Sequence, residues 1–199
     1  MPRSPNFIAR PQMTPFLSLL LPVAVAAVVV FVISSIVQGV MPWHKRDHGN
    51  VPDDDVAIAA IRSLNLAPDD YAVPNPRLPG GARNPDFIPK FERGPSFHMT
   101  VMDPKRMNMG VYMGTWLLFT LLISAIAGWV TGSIFAPGGN PRAVFHVAAI
   151  ITACSYGFGA WPLSIWYHRR WSTAFKGTFD AVLYGLATGA VFMWLWPKA

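Results

Sequence analysis

The sequence predicts an all-α membrane protein with four transmembrane helices and a 70-residue polar loop, 41–110, between the first and second. Three observations carry that prediction. Four apolar runs, 16–37, 112–135, 143–166 and 178–196, hold a single acidic residue between them, and each has roughly the length needed to cross a hydrocarbon core ~30 Å thick. Charged residues make up 13% of the chain, about half the ~25% usual in soluble domains. Tryptophans and basic residues gather at the ends of the runs, where indole and ammonium groups suit the headgroup region.

Residues 1–15 form a short tail with Arg3 and Arg10, too small to fold alone. The first run, 16–37, carries no charge over 22 residues. A secretory signal has a shorter apolar core and a small-residue cleavage site; Val40-Met41-Pro42-Trp43 offers none, so a retained span is expected, with Pro22 tolerated in its second turn. Pro42 ends the helix, and Trp43, Lys45 and Arg46 mark the exit into polar surroundings.

The loop opens with an amphipathic helix expected over 52–66. Asn50 can cap it, Pro52 suits its first turn, and Asp53–Asp55 complement the positive end of the helix dipole. Ala57, Ile61 and Leu64 fall on one face at i, i+4 and i+7, a face that needs the bundle, the membrane surface or a partner to cover it. The three aspartates invite a metal reading, but consecutive helical side chains diverge by about 100° and do not converge on one cation. Between Pro68 and Pro95 seven prolines and three glycines predict irregular extended backbone. Residues 96–102 alternate as a short strand. His98 has no second ligand at zinc-type spacing, and His44 and His48, though spaced i, i+4, straddle a helix exit, so no metal site is expected at either.

In and just before the second span, 112–135, small residues recur at four-residue intervals, at Gly110 and Gly114 and then at Ser124, Gly128 and Gly132, a flat stripe that lets another helix approach closely. The third span, 143–166, contains Gly157, Gly159 and Pro162 and is expected to bend in its second half. The polar link 167–177 is strongly basic, with Arg169 and Arg170 between Trp166 and Trp171. The fourth span, 178–196, repeats the small stripe at Ala181, Gly185 and Gly189, and Trp194 and Trp196 mark its exit. The net charge of +6 would suggest nucleic acid in a soluble protein; flanking apolar spans, it points to topology and anionic lipid instead, with no nucleic-acid partner. Eight basic residues near the spans on the long-loop side stand against four on the other. That bias predicts a cytoplasmic long loop and 167–177 link. The lone Cys154 excludes an internal disulfide and is expected to be a buried, inert thiol.

Asp180 is the one acidic residue in a span. An intramembrane carboxylate is a candidate proton relay or cation site. Its place less than one turn into the predicted span also suits a structural charge stabilised by the dipole, with Lys176 at i−4 and Arg169 and Arg170 on the same side; this second role is the preferred expectation. His146, near the start of the third span, is a weak candidate for a haem or pigment ligand, although no cofactor is otherwise implied. On the predicted topology it lies on the order of 25 Å from Asp180, too far for partnership. No nucleophile elbow, metalloprotease or phosphate-loop motif occurs, so no enzyme activity, catalytic residue or metal site is expected.

The segments MPWHKRDHGNVPDDDVAIAAIRSLNLAPDDY, GPSFHMTV, Met109-Gly110, YGFGAWPLSIW and WSTAFKGTFDAVLYGLATGAVFMWLWP resemble, in the same order, a family of uncharacterised bacterial four-span integral membrane proteins. The similarity covers about residues 40–197; the tail and 72–86 depart from it. The resemblance implies a bacterial inner-membrane setting and matches Asp180 and Trp171 to family positions, but it implies no activity, substrate or cofactor. The close-packing stripes, interfacial tryptophans and scarcity of buried charge lead to an expected non-enzymatic accessory or scaffold subunit, with other membrane subunits and lipid as partners and a respiratory or photosynthetic assembly as the setting. The alternatives are a small-solute, ion or proton transport component using Asp180, and a haem- or pigment-binding subunit using His146.

Overall fold

The computed structural model describes residues 13–77 and 79–199; the predicted tail, with Arg3 and Arg10, lies almost wholly outside them. The chain divides into two compact units, a helical unit of residues 1–48 with 109–199 and a loop unit of residues 49–108.

Among its described residues the helical unit contains four helices long and apolar enough to cross a membrane, Phe16–Val40, Met109–Ile134, Pro141–Trp166 and Trp171–Leu195. It is a multi-pass membrane protein. The first span is three windings in series: a 3-10 turn Phe16–Leu19, helix α1 (Leu20–Ser35) and a π turn Ile36–Val40. Pro22 falls in the second turn of the span, as expected, and in the first turn of α1, where the missing N–H is no loss. Helix α4 (Met109–Ile134) forms the second span. Helix α5 (Pro141–Gly157) starts on Asn140, whose side chain accepts from the Arg142 and Ala143 amides at 3.0 and 3.4 Å, with Pro141 at the first helical position. The third span breaks after Gly157 as predicted and resumes as α6 (Ala160–Trp166). The break accommodates Pro162, whose ring would clash with the Phe158 carbonyl in a continuous helix.

The fourth span differs from its predicted start at 178. Helix α7 runs Trp171–Leu195, so most of the basic link is helix. Hydropathy underplaced the boundary because Lys176 lowers the local average while the backbone continues helical. Asp180 is therefore more than two turns inside its helix, beyond the reach of the dipole at the N-terminus.

Helix α7 packs against α5 and α1, and α1 against α4. Small residues make this possible. A Cβ on Gly185 would stand 2.5 Å from the Ala149 carbonyl oxygen, and one on Gly189 would stand 2.7 Å from that of Phe145. Gly128 faces Val23 and Phe192, Gly132 faces Leu19 and Thr14, and Ala181 meets Gly157. Ser124 is buried. Gly114 breaks the predicted stripe: nothing lies within 4 Å of its Cβ position, so it has no close-packing role. The core at this end joins Leu19, Val23, Ala26, Val144, Ala148, Val191, Phe192 and Trp196. Trp196, expected at the membrane interface, is buried there and donates from Nε1 to the Ala136 carbonyl at 3.1 Å. Trp166 and Trp194 are exposed, as interface residues should be. Cys154 is exposed, not buried.

The loop unit holds helix α2 (Asp54–Arg62), strand β1 (Asp69–Val73), helix α3 (Phe87–Arg93) and strand β2 (Phe97–Val101). The amphipathic helix is shorter than 52–66: Asp53, not Asn50, is its cap, accepting from the Val56 amide at 3.0 Å. Ala57 and Ile61 are half-buried and Leu64 is exposed. The predicted strand pairs antiparallel with β1, Tyr71 opposite Met99. The proline count masked β1, whose five residues fit between Pro68 and Pro74.

Candidate functional site

The last turns of the first span, the start of α4, the end of α5 and the first half of α7 leave a cavity of about 680 Å³ in the helical unit. Its wall includes Ser34, Gln38, Trp116, Tyr156, Asp180 and Tyr184. The π turn at Ile36–Val40, closed by the Met41 amide on the Ile36 carbonyl at 3.1 Å, widens the backbone where Gln38 reaches inward. Such turns recur where a helix is bent to functional use.

Asp180 is 3% exposed. Its Oδ2 accepts from Gln38 Nε2 at 3.2 Å and lies 2.8 Å from His44 Nε2. The other ring nitrogen of His44, Nδ1, lies 2.5 Å from Asp47 Oδ2. Lys176 Nζ donates to Asp47 Oδ1 at 2.6 Å. Asp180, His44, Asp47 and Lys176 thus form one continuous chain of charge-assisted contacts. The short segment Pro42–His44 is a 3-10 turn begun by its proline, and the Asp47 amide bonds the His44 carbonyl at 3.0 Å. This local folding puts His44 and Asp47 on one side at i, i+3. Trp43 packs on Phe179 with ring centroids 5.7 Å apart, and Lys176 Nζ lies 5.9 Å from the Trp43 ring centre. Arg170 donates to the Arg46 carbonyl at 3.0 Å, tying the start of α7 to the same segment.

Proton counting limits the states of this chain. A neutral imidazole donates from one nitrogen only, yet both nitrogens of His44 face carboxylates. The ring donates to both carboxylates only with a further proton in the set, on His44 or on a carboxylate; as a neutral ring its Nε2 can instead accept from Gln38 Nε2 at 3.2 Å. Burial acts to raise the Asp47 carboxyl, but hydrogen bonds from Lys176 and His44 outweigh it and hold Asp47 below the usual carboxylate value. The ionised form of Asp47 is thus favoured, and the short contact between His44 Nε2 and Asp180 Oδ2 is one across which a proton can pass. Asp180 Oδ1 is buried with no hydrogen-bond partner, and so is the Tyr156 hydroxyl in the same wall.

The aromatic side of the cavity is a connected cluster. Tyr156 packs edge-on to Tyr184 at 5.3 Å and to Phe119 at 5.7 Å, and Trp116 lies 6.0 Å from Tyr156. Trp116 Nε1 donates to Ser34 Oγ at 2.7 Å, which fixes the indole against α1.

Among the residues singled out from sequence, Asp180 lies at the centre. Its expected role as a structural charge beside Lys176 is recast: Lys176 bonds to Asp47, and His44 stands between. Trp43 borders the chain of contacts; Lys45, Arg46, Arg169 and Arg170 are exposed. Trp171 is half-exposed and packs edge-on to Trp161. His146 is exposed on α5, edge-on to Phe145, and does not line the cavity. Among the described residues no group of three or more His, Cys, Asp or Glu side chains could hold a metal ion. Gln38, His44 and Asp47 escaped the sequence reading, which weighed His44 only with His48 as a metal pair. The available signal was the i, i+3 spacing of His44 and Asp47 just past a span end, together with the one acidic residue inside another span. No protein-family model, curated protein or solved structure matches the chain.

Proposed function

We propose that the protein is a membrane transport component that carries a proton or a small cation on Asp180. The observation that supports this most is the continuous chain from the buried Asp180 through His44 to Asp47 and Lys176, set in the wall of a cavity. A buried carboxylate with one oxygen unpaired favours an incoming cation, and a proton able to pass to His44 gives it something to exchange. A cation arriving at Asp180 raises the local positive charge and drives that proton toward His44 and out along the Asp47 side. Of the small-residue faces that motivated the expectation of partner subunits, Gly128, Gly132, Gly185 and Gly189 are covered within the chain, so these four lend no support to docking. Exposed His146 likewise lends none to haem or pigment binding.

The test is cation-driven collapse of a pH gradient in liposomes containing the purified protein, with sodium, potassium, lithium and small amines added in turn. At least one cation should collapse the gradient, and Asp180→Asn, expressed and folded normally, should abolish the effect. A panel with no active cation, or full activity in the variant, would overturn the proposal.

A further inference from the structure

The chemistry of the cavity points beyond a generic cation. We propose that it binds an organic ammonium ion, an N–H-bearing cation on an apolar, ring-sized body; this rests on the reading of Asp180 as the cation-carrying carboxylate. Three observations support it. Oδ2 of Asp180 is taken by His44 and Gln38, while Oδ1 lacks any donor. A buried acceptor left unpaired is a standing cost that an N–H donor would remove. The second unpaired group is the hydroxyl of Tyr156, a residue that lines the same cavity, and it can accept another N–H. Tyr112, Trp116 and Tyr184 supply further rings, and aromatic faces attract a cation that is poorly hydrated.

The same wall disfavours other occupants. A hard metal ion wants about six oxygen ligands, and among the described residues Asp180 is the one carboxylate lining the cavity. Ser34 Oγ donates to the Phe31 carbonyl and already accepts from Trp116 Nε1 at 2.7 Å. An anion would face Asp180, and a purely apolar molecule would leave both orphaned oxygens unpaired. The volume of about 680 Å³ falls within the range of small-molecule sites. Because the unpaired oxygen needs a donor, a protonated amine should outrank its quaternary analogue, which offers charge but no N–H.

Equilibrium dialysis with labelled phenethylamine on the full chain in phosphatidylglycerol nanodiscs reads this directly. Saturable binding is expected, with the trimethylated quaternary analogue about tenfold weaker, the loss typical of one charge-assisted hydrogen bond. Asp180→Asn should weaken the amine by at least about tenfold, and Tyr156→Phe, which keeps the ring, by about threefold. Should Asp180→Asn fail to fold, the amine-to-quaternary ranking and Tyr156→Phe decide the matter. No saturable binding, equal binding of the quaternary analogue, or unchanged affinity in the folded variants would overturn the inference. Adding phosphatidylethanolamine separates two sources of the same chemistry: competition identifies a lipid headgroup as the ammonium, and its absence a free amine. Gradient collapse by an alkali cation without amine binding would sink this inference and leave the transport reading standing. Amine binding without gradient collapse would do the reverse.

Discussion

The two ends of the helical unit are built from the same four spans and solve opposite problems. At one end Leu19, Val23, Phe192 and Trp196 close a core against Gly128, Gly132 and Gly189, and the helices approach to backbone contact. At the other end Trp116, Tyr156 and Tyr184 hold the spans apart, and the space between them keeps a carboxylate. Residue size makes the difference. Glycine and alanine let helices close until backbone meets side chain; large rings with polar tips must seat their hydroxyls and cannot collapse the gap. The packed end closes the bundle, and the hollow end keeps a buried carboxylate beside a cavity.

Breaking the polar chain should have the largest effect. His44→Ala leaves Asp180 and Asp47 facing a void, and removing one partner of a buried ionic contact costs about 3 kcal/mol. Thermal unfolding in mild detergent should show a large drop in midpoint, and an unchanged midpoint would mean that the chain of contacts is not formed. Identical substitutions at the two ends should then differ in sign. Gly189→Ala, at the packed end, puts a methyl group 2.7 Å from the Phe145 oxygen and should destabilise by about 2 kcal/mol. Gly114→Ala meets nothing within 4 Å and should stabilise by about 0.5 kcal/mol through helix propensity. Equal effects from both would erase the contrast between the packed and hollow ends.

The smallest effect concerns acid. Asp47 is depressed below its ordinary value of 3.8, so the unfolded chain binds more protons than the folded one as pH falls. Its contribution is complete above that ordinary value and is lost as pH drops through the lower folded value. Unfolding midpoints followed from pH 6 down to the acid range, each figure being about the span over which carboxylates titrate, should fall less steeply in Asp47→Asn than in the parent. Parallel curves would show that Asp47 carries no such linkage.

Four apolar runs, their flanking tryptophans and the small-residue spacing were enough to read the membrane class, the spans and the positions Gly128, Gly132, Gly185 and Gly189, because hydropathy and side-chain volume act locally along the chain. The bend after Gly157 was legible for the same reason. Where α7 begins was not, since one lysine lowers an average without ending a helix. The site itself came from tertiary structure. Asp180 was visible as the lone acid in a span, but its partners are 136 and 142 residues away in sequence, in His44 and Gln38. No periodicity reports a contact of that separation. Packing of α7 on α1 decided that the carboxylate would meet an imidazole instead of Lys176, and the size of four aromatic side chains decided that a cavity would remain beside it.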